Sequence, residues 1–274
     1  MRIPKRNAGQ TIMYWIGLYR LYLRIYFRTL AEYRADTLIA LGGGVLAQGS
    51  TLLFLTVILQ RVPQLAGWGF YELVFLLGMT SAGRALNMVF LNAPFTISGL
   101  VRRGLIDVLM VRPVGVLFQA VGITQEINGI GQSITGIAIM VYAAWHMNID
   151  WTAWMVLYAV IAMVSSMFIQ FSIQLFIVVA SFWVQEIRSV IYPATWVFDF
   201  ARYPMDIFGP IVRGFLTYVL PYAFCSFYPA AYLLRSDLEY AWAAWGVPLL
   251  AVLITLFAYR WWLFGLRRYS SASG

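Results

Sequence analysis

The most constraining feature of this sequence is a series of long apolar segments separated by short charged stretches. The first of them, residues 37–59, would form a helix roughly 35 Å long, enough to cross a hydrocarbon core about 30 Å thick. Because 62% of the 274 residues are hydrophobic, a soluble domain could not bury this much apolar surface. The sequence therefore predicts an all-α integral membrane protein. The other apolar segments are residues 71–91, 116–143, 152–182, 189–200 and 241–264.

The segment before the first span, residues 11–33, has a different pattern. Arg20, Arg24 and Arg28 repeat every four residues on one helical face, and aromatic and aliphatic side chains fill the other. Such a helix lies in the membrane interface with its arginines toward anionic headgroups. The alternative, a transmembrane helix, would place three arginines in the bilayer at a large cost. We therefore predict that residues 1–34 form a cytoplasmic tail and an interfacial amphipathic helix that binds membrane lipid.

The stretch before the last span is apolar enough to be taken for a further crossing, but Pro210, Pro221 and Pro229 interrupt it. Proline breaks helices, and irregular backbone at membrane depth requires shielding by protein. We therefore predict a re-entrant extracellular helical hairpin over residues 210–234. The chain then has six transmembrane helices within residues 35–268, and residues 269–274 form a second tail on the side of the N-terminus.

The distribution of basic residues agrees with six spans. Apart from Arg84, which lies within a span, only Arg61, Arg202, Arg213 and Arg235 fall outside the side that carries the termini. Because cytoplasmic loops are enriched in lysine and arginine, both termini are predicted to be cytoplasmic, in a cytoplasmic (inner) membrane. Membrane orientation and lipid headgroups also explain the pI of about 9.7, so no nucleic-acid partner is expected.

A charged interruption, residues 96–119, separates the second span from the third. Its first part, residues 96–112, has the periodicity of a short amphipathic helix that Pro113 would end. Such a helix could be pushed by a partner outside the membrane; the alternative is a solvated loop that only reverses the chain. The residues predicted to share its apolar side are Leu100, Ile106, Leu109 and Met110, and those predicted to meet water are Arg102, Arg103 and Asp107.

The sequence lacks the motifs of an enzyme that works alone. It contains no GxxxxGK[ST], HExxH or GxSxG pattern, so the chain does not bind ATP through a Walker motif of its own. It has one cysteine, Cys225, and one histidine, His146, which exclude an internal disulfide and a multi-histidine metal site. We therefore expect that this chain binds no metal or cofactor and has no catalytic residue.

The order of these features resembles the permease subunits of bacterial type-2 ATP-binding-cassette exporters. The loop GLVRRGLIDVLMVRPVGVLFQ lies between the second and third spans, and YPMDIFGPIVRGFLTYVLPYAFCSFYPAAYLL is similar to a signature of one bacterial branch. The resemblance extends from residue 11 to residue 264. Glu126 departs from the pattern, because a neutral polar residue would be expected in the third span.

The resemblance implies export of an amphipathic or lipid-like compound by two permease chains, identical or homologous, with an ATPase dimer that binds ATP and Mg²⁺. It also implies that residues 96–112 are the coupling helix that docks on the ATPase, with residues 185–188 as a smaller cytoplasmic contact. The expected coupling contacts are Leu100, Arg103, Ile106, Asp107 and Leu109.

Polar side chains inside the spans are candidates for lining the translocation path. The alternative role, hydrogen bonding between helices, is also common for such residues. Arg84 and Glu126 should lie near mid-membrane on antiparallel spans, so we predict that they pair, directly or through water. The alternative is that Arg84 faces the central path and meets an anionic substrate. The candidate path residues are Gln48, Arg84, Asn87, Glu126, Gln170 and Gln174.

Two other classes of function fit less well. An ion-coupled secondary transporter would favour several buried carboxylates and an inverted repeat, whereas Glu126 is the one mid-span carboxylate and no repeat is evident. An intramembrane enzyme would need a histidine cluster, a paired-aspartate motif or a serine nucleophile motif, and the sequence contains none of these.

Overall fold

The computed structural model describes residues 8–62, 64–147, 149–184, 187–235 and 238–269. The described chain is helical, and parts of the predicted tails (residues 1–7 and 270–274) and residues 185 and 186 of the polar stretch 185–188 lie outside it. The α-helices are α1 (Ala8–Glu32), α2 (Arg34–Arg61), α3 (Phe70–Phe90), α4 (Ala93–Arg102), α5 (Leu105–Met110), α6 (Val116–Gly122), α7 (Asn128–His146), α8 (Ala153–Val179), α9 (Arg188–Val197), α10 (Pro210–Gly214), α11 (Phe227–Arg235) and α12 (Leu238–Arg268).

Four helical segments in the described residues are long and apolar enough to cross a membrane: Arg34–Arg61, Phe70–Phe90, Ala153–Phe182 and Tyr240–Arg268. The predicted third segment is not one continuous helix, because α6 ends at Gly122 and α7 begins at Asn128. Between them the Glu126 backbone N–H donates to the carbonyl of Met88 in α3, at 3.2 Å, outside any helical ladder. The predicted fifth segment forms the ten-residue α9 followed by a 3-10 helix, Phe198–Arg202.

Glycines allow α3 and α7 to pack at very close range. A Cβ atom added at Gly78 would lie 2.7 Å from the carbonyl oxygen of Gly136, and one added at Gly136 would lie 2.9 Å from the backbone nitrogen of Ala82. Small residues of this kind let helix backbones approach inside a membrane, where apolar side chains alone give little drive to associate. The helix pair α3 and α7 is therefore the centre of the bundle, with α2 packed on α7 and α8 packed on α3.

Two hydrophobic clusters occupy opposite ends of the bundle. The first cluster contains Leu73 of α3, Ala159 of α8 and Val247 of α12, whereas the second contains Leu175 of α8 and Trp262 of α12. Helices α8 and α12 therefore run in the same direction from the first cluster to the second. The second cluster also takes in residues of α4, α5 and α6, so the charged interruption packs at that end.

Two arginines attach the proline-interrupted segment to the first-cluster end of the bundle. Arg213 hydrogen-bonds to the Tyr240 hydroxyl at 3.0 Å, near the start of α12, and Arg235 pairs with Glu72 at 2.9 Å, near the start of α3. Between these two anchors, Leu220 lines a cavity with Ile173, about three quarters of the way along α8. The middle of the segment therefore lies beside α8.

The predicted N-terminal helix is confirmed as a helix, α1, and it is separated from α2 by a break at Tyr33. Its aromatic side packs on α6, since the ring of Trp15 lies 4.9 Å from that of Phe118, centroid to centroid. Tyr22 covers Gly122, where an added Cβ would lie 2.5 Å from the tyrosine ring. Helix α1 is thus attached to the second-cluster end of the bundle.

Candidate functional site

A polar cavity of about 370 Å³ lies between the two hydrophobic clusters. It brings together residues of α3, α8 and α9 with the break before α7. Tyr192, Trp196, Phe198 and Tyr222 add an aromatic wall. Gln48 is buried and lines a smaller neighbouring cavity, which Arg84 also lines. Among the predicted path residues, those that line the larger cavity are Arg84, Asn87, Glu126, Gln170 and Gln174.

The carboxamides of this cavity are held by bonds within and between helices. Asn87 donates to the carbonyl of Met167 at 3.3 Å, which links α3 to α8, and Gln170 donates to the Ser166 hydroxyl at 3.2 Å. The side-chain oxygen of Gln174 is buried without a hydrogen-bond partner among the described residues. Asn87 therefore links two helices, which was the alternative role for polar residues inside the spans. The side-chain oxygen of Gln174 accepts no hydrogen bond from the described residues.

Arg84 and Glu126, predicted to pair directly or through water, each contact other partners directly. Arg84 contacts Asp199 at 2.7 Å and donates to the carbonyl of Thr195 at 3.1 Å, while Glu126 accepts 3.3 Å bonds from Asn92 and Asn128. The prediction assumed one continuous third helix rising past Arg84. The break after α6 instead holds the Glu126 backbone beside Met88, one helical turn beyond Arg84.

Asp199 and Arg202 are the residues of this site that the sequence interpretation missed. They lie three apart on the 3-10 helix after α9, and Asp199 accepts from Arg202 as well as from Arg84. The guanidinium of Arg84 also lies 4.9 Å from the centroid of the Phe198 ring. The sequence does show an aspartate and an arginine three positions apart. The predicted fifth segment was too short to indicate that these two residues lie inside the bundle.

The charged interruption forms two helices rather than the single helix predicted over residues 96–112. Gly104 takes a left-handed conformation, φ +66°, and separates α4 from α5. Leu100, Ile106 and Leu109, predicted as contacts for a partner, are 7%, 0% and 6% exposed and belong to the second cluster. The buried Gln119 amide donates to the carbonyls of Leu109 at 2.9 Å and Val114 at 2.7 Å, and so fixes α5 on α6.

The outward side of this helix pair is carried by other residues. Arg103 is exposed and donates to the carbonyl of Gly99 at 3.2 Å, and Asp107 is half-buried. Val108 and Met110 are each 49% exposed, and Val111 is 83% exposed. Met110 was predicted on the buried side. The surface available to a partner is therefore a mixed apolar and basic strip, which we call the α5 strip: Arg102, Arg103, Leu105, Val108, Met110 and Val111.

An all-helical chain with membrane-length helices and a polar cavity between apolar clusters has the features of a multi-pass membrane protein. Residues 45–273 match a family model described as "ABC-2 family transporter protein", and the chain therefore belongs to this family. It is an ABC transporter membrane permease, of a family that lacks an ATPase domain and works with separate ABC ATPases. A search of curated proteins found no match.

Proposed function

We propose that this chain is the permease subunit of an ATP-driven exporter and that the polar cavity forms part of the path of an amphipathic or lipid-like compound. The observation that carries the proposal is the convergence of polar side chains from separate helices between two apolar clusters, in a chain of this family. Polar groups are expensive at membrane depth and are typical of transport paths. A partner ATPase dimer binds ATP and Mg²⁺, and a second permease chain completes the transporter.

In this proposal the α5 strip docks on the ATPase. The buried side chains of Leu100, Ile106 and Leu109 do not contact the ATPase in this proposal. Their packing in the second cluster ties α4 and α5 to the ends of α8 and α12. Packed cores transmit displacement because they deform little. A push on α5 would therefore displace the part of α8 that carries Gln170 and Gln174, two residues that line the cavity.

We also propose the six-span topology, with α2, α3, α7, α8, α9 with its 3-10 extension, and α12 as spans. The fifth span is short, but it connects the two ends of the bundle: Ile191 lies in the second cluster, whereas Phe198 and Ala201 lie in the first. The hairpin of residues 210–235 starts and finishes at the first-cluster end, which supports its re-entrant character. That end faces outside, and the end that holds the α5 strip faces the cytoplasm.

The first prediction tests the docking surface. Changing Arg103 and Val108 to glutamate reverses one charge on the α5 strip and replaces one apolar side chain by a charged one. Neither residue belongs to the second cluster. We expect the double variant to fold normally but to lose most of its co-purification with its ABC ATPase partner. The matched variant Ile106→Ala removes a fully buried side chain, at a cost of about 2–5 kcal/mol, and should lower stability while its folded fraction still binds the ATPase.

The two readouts are the melting temperature of the permease and the amount of ATPase retained per folded permease. A glutamate double variant that retains wild-type amounts of ATPase and hydrolyses ATP at the wild-type rate in proteoliposomes would contradict the docking proposal.

The second prediction tests the hairpin. In a Cys225→Ser background, single cysteines at Gly209 and Arg235 should react with a membrane-impermeant maleimide from outside intact cells, and one at Arg267 should react only after permeabilisation. Gly209 is exposed, and a Cβ there meets no atom within 4 Å, so that variant is benign. Labelling of Gly209→Cys and Arg235→Cys from opposite faces would mean that the segment crosses the membrane.

A further inference from the structure

The smaller cavity beside the proposed path carries an excess of positive charge. It has a volume of about 110 Å³ and lies between α2, α3, the start of α7 and the 3-10 helix after α9. Arg84 and Arg202 both line it, and a single carboxylate, that of Asp199, contacts both of them. The other carboxylate at this level, Glu126, is bound to Asn92 and Asn128 instead. Two guanidinium groups thus share one counter-charge.

The hydrogen bonding of Arg202 is incomplete. Its Nε is buried and has no hydrogen-bond partner among the described residues. Arg84, by contrast, uses one Nη on Asp199 and the other on the carbonyl of Thr195. Leaving a buried charged donor without an acceptor is costly, because the group has lost its water and gained no substitute. Because this Nε is closed to the cavity, a ligand there would meet the other guanidinium atoms of the two arginines, whose net positive charge favours an anion.

The remaining walls of the cavity can hold such a group. Gln48 and Gln132 supply carboxamide N–H donors, and Ser81 supplies a hydroxyl. The volume has room for a halide or for a carboxylate, sulfate or phosphate group, but not for a whole amphipathic molecule. Arg84 and Gln132 also line the larger cavity, so an anionic head in the small cavity could continue into an apolar or polar body in the large one.

We infer that Arg84 and Arg202 form a binding site for a single anionic group, with Asp199 as the internal group that this anion partly displaces. The ligand is either a small free anion or the anionic head of an amphiphile. The inference rests on the proposed function only for the second source, in which the head belongs to a transported molecule.

Anion binding can be measured on the purified full-length chain in a neutral detergent. Chloride, acetate and decanoate are titrated at constant ionic strength with gluconate as the reference anion, and the melting temperature is followed relative to gluconate alone. Binding to the folded state raises this temperature in a saturable way. We expect such a rise for the wild-type chain and for the control Arg235→Gln, whose arginine lies outside the cavity.

Variants of the site give directional tests. Arg202→Gln should abolish the rise, and Arg202→Lys, which keeps the charge but loses the planar fork of guanidinium donors, should weaken binding by roughly tenfold, the loss expected for one charge-assisted hydrogen bond. Asp199→Asn removes the competing carboxylate and should tighten binding by about tenfold or more. A purely structural role of Asp199 would not produce tighter binding. The lysine and asparagine variants keep the test valid if Arg202→Gln does not fold.

The three probes separate the two sources. Decanoate binding at least about tenfold tighter than acetate would identify the head of an amphiphile, because burial of each additional CH₂ contributes about 0.8 kcal/mol. Equal affinities would identify a small free anion. Absence of a saturable rise for all three probes, or an equal rise in Arg202→Gln, would overturn the inference. Because binding requires neither ATPase nor transport, its failure is distinguishable from failure of the exporter proposal.

Discussion

Replacing Gly78 with valine should prevent α3 and α7 from packing and so abolish the native fold. The new Cβ would lie 2.7 Å from the carbonyl oxygen of Gly136 and 2.8 Å from the backbone nitrogen of Met140. Overpacking against movable side chains usually costs about 1–3 kcal/mol, but here the obstacle is backbone, so α7 as a whole must move. We expect the loss of a monodisperse peak in size-exclusion chromatography of the detergent-solubilised chain.

The matched control for this variant is Gly43→Val. Gly43 lies within the transmembrane-length helix α2, and a Cβ there meets no atom within 4 Å. Both variants add the same β-branched side chain to a helix, so differences in helix propensity cancel. Gly78→Ala should lie between them. A Gly78→Val chain that elutes and melts like the control would show that the close approach of α3 and α7 is not required.

Breaking the contact between Arg84 and Asp199 should also have a large effect. Removing one partner of a fully buried ion pair costs about 3–5 kcal/mol. We expect about 2 kcal/mol for Arg84→Gln, because the Arg84 and Asp199 side chains remain 29% and 40% exposed within the chain. Asp199→Asn should cost more than Arg84→Gln, because it leaves two arginines without their shared carboxylate. Free energies of unfolding in mixed micelles measure both effects.

A double-mutant cycle distinguishes the observed pair from the one predicted by sequence. Arg84→Gln combined with Asp199→Asn should deviate from additivity by about 1–3 kcal/mol, as contacting residues do. Arg84→Gln combined with Glu126→Gln should be additive within about 0.5 kcal/mol, since these residues do not share a bond. Strong coupling in the second cycle and none in the first would contradict the charge pairing of the structure.

The sequence by itself determined the class of the protein, because periodicity and composition act locally. The membrane-length apolar helices, the amphipathic α1 and the absence of a nucleotide motif can all be read from short windows. The polar residues chosen as path candidates were also identified by a local rule, the cost of polar groups inside a span, and the larger cavity gathers Arg84, Asn87 and Glu126 from two different segments.

Only the tertiary structure decided which partners these residues have. Asp199 is 115 positions from Arg84, and their contact depends on where the short α9 sits, which no local pattern specifies. The break after α6 holds the Glu126 backbone beside Met88 of α3, and its carboxylate contacts Asn92 and Asn128. The orientation of α4 and α5 was likewise undetermined: an amphipathic pattern reveals an apolar side, but Leu100, Ile106 and Leu109 could have faced a partner. The second cluster supplied an apolar surface within the same chain, and burial against it left Val108, Met110 and the arginines outward.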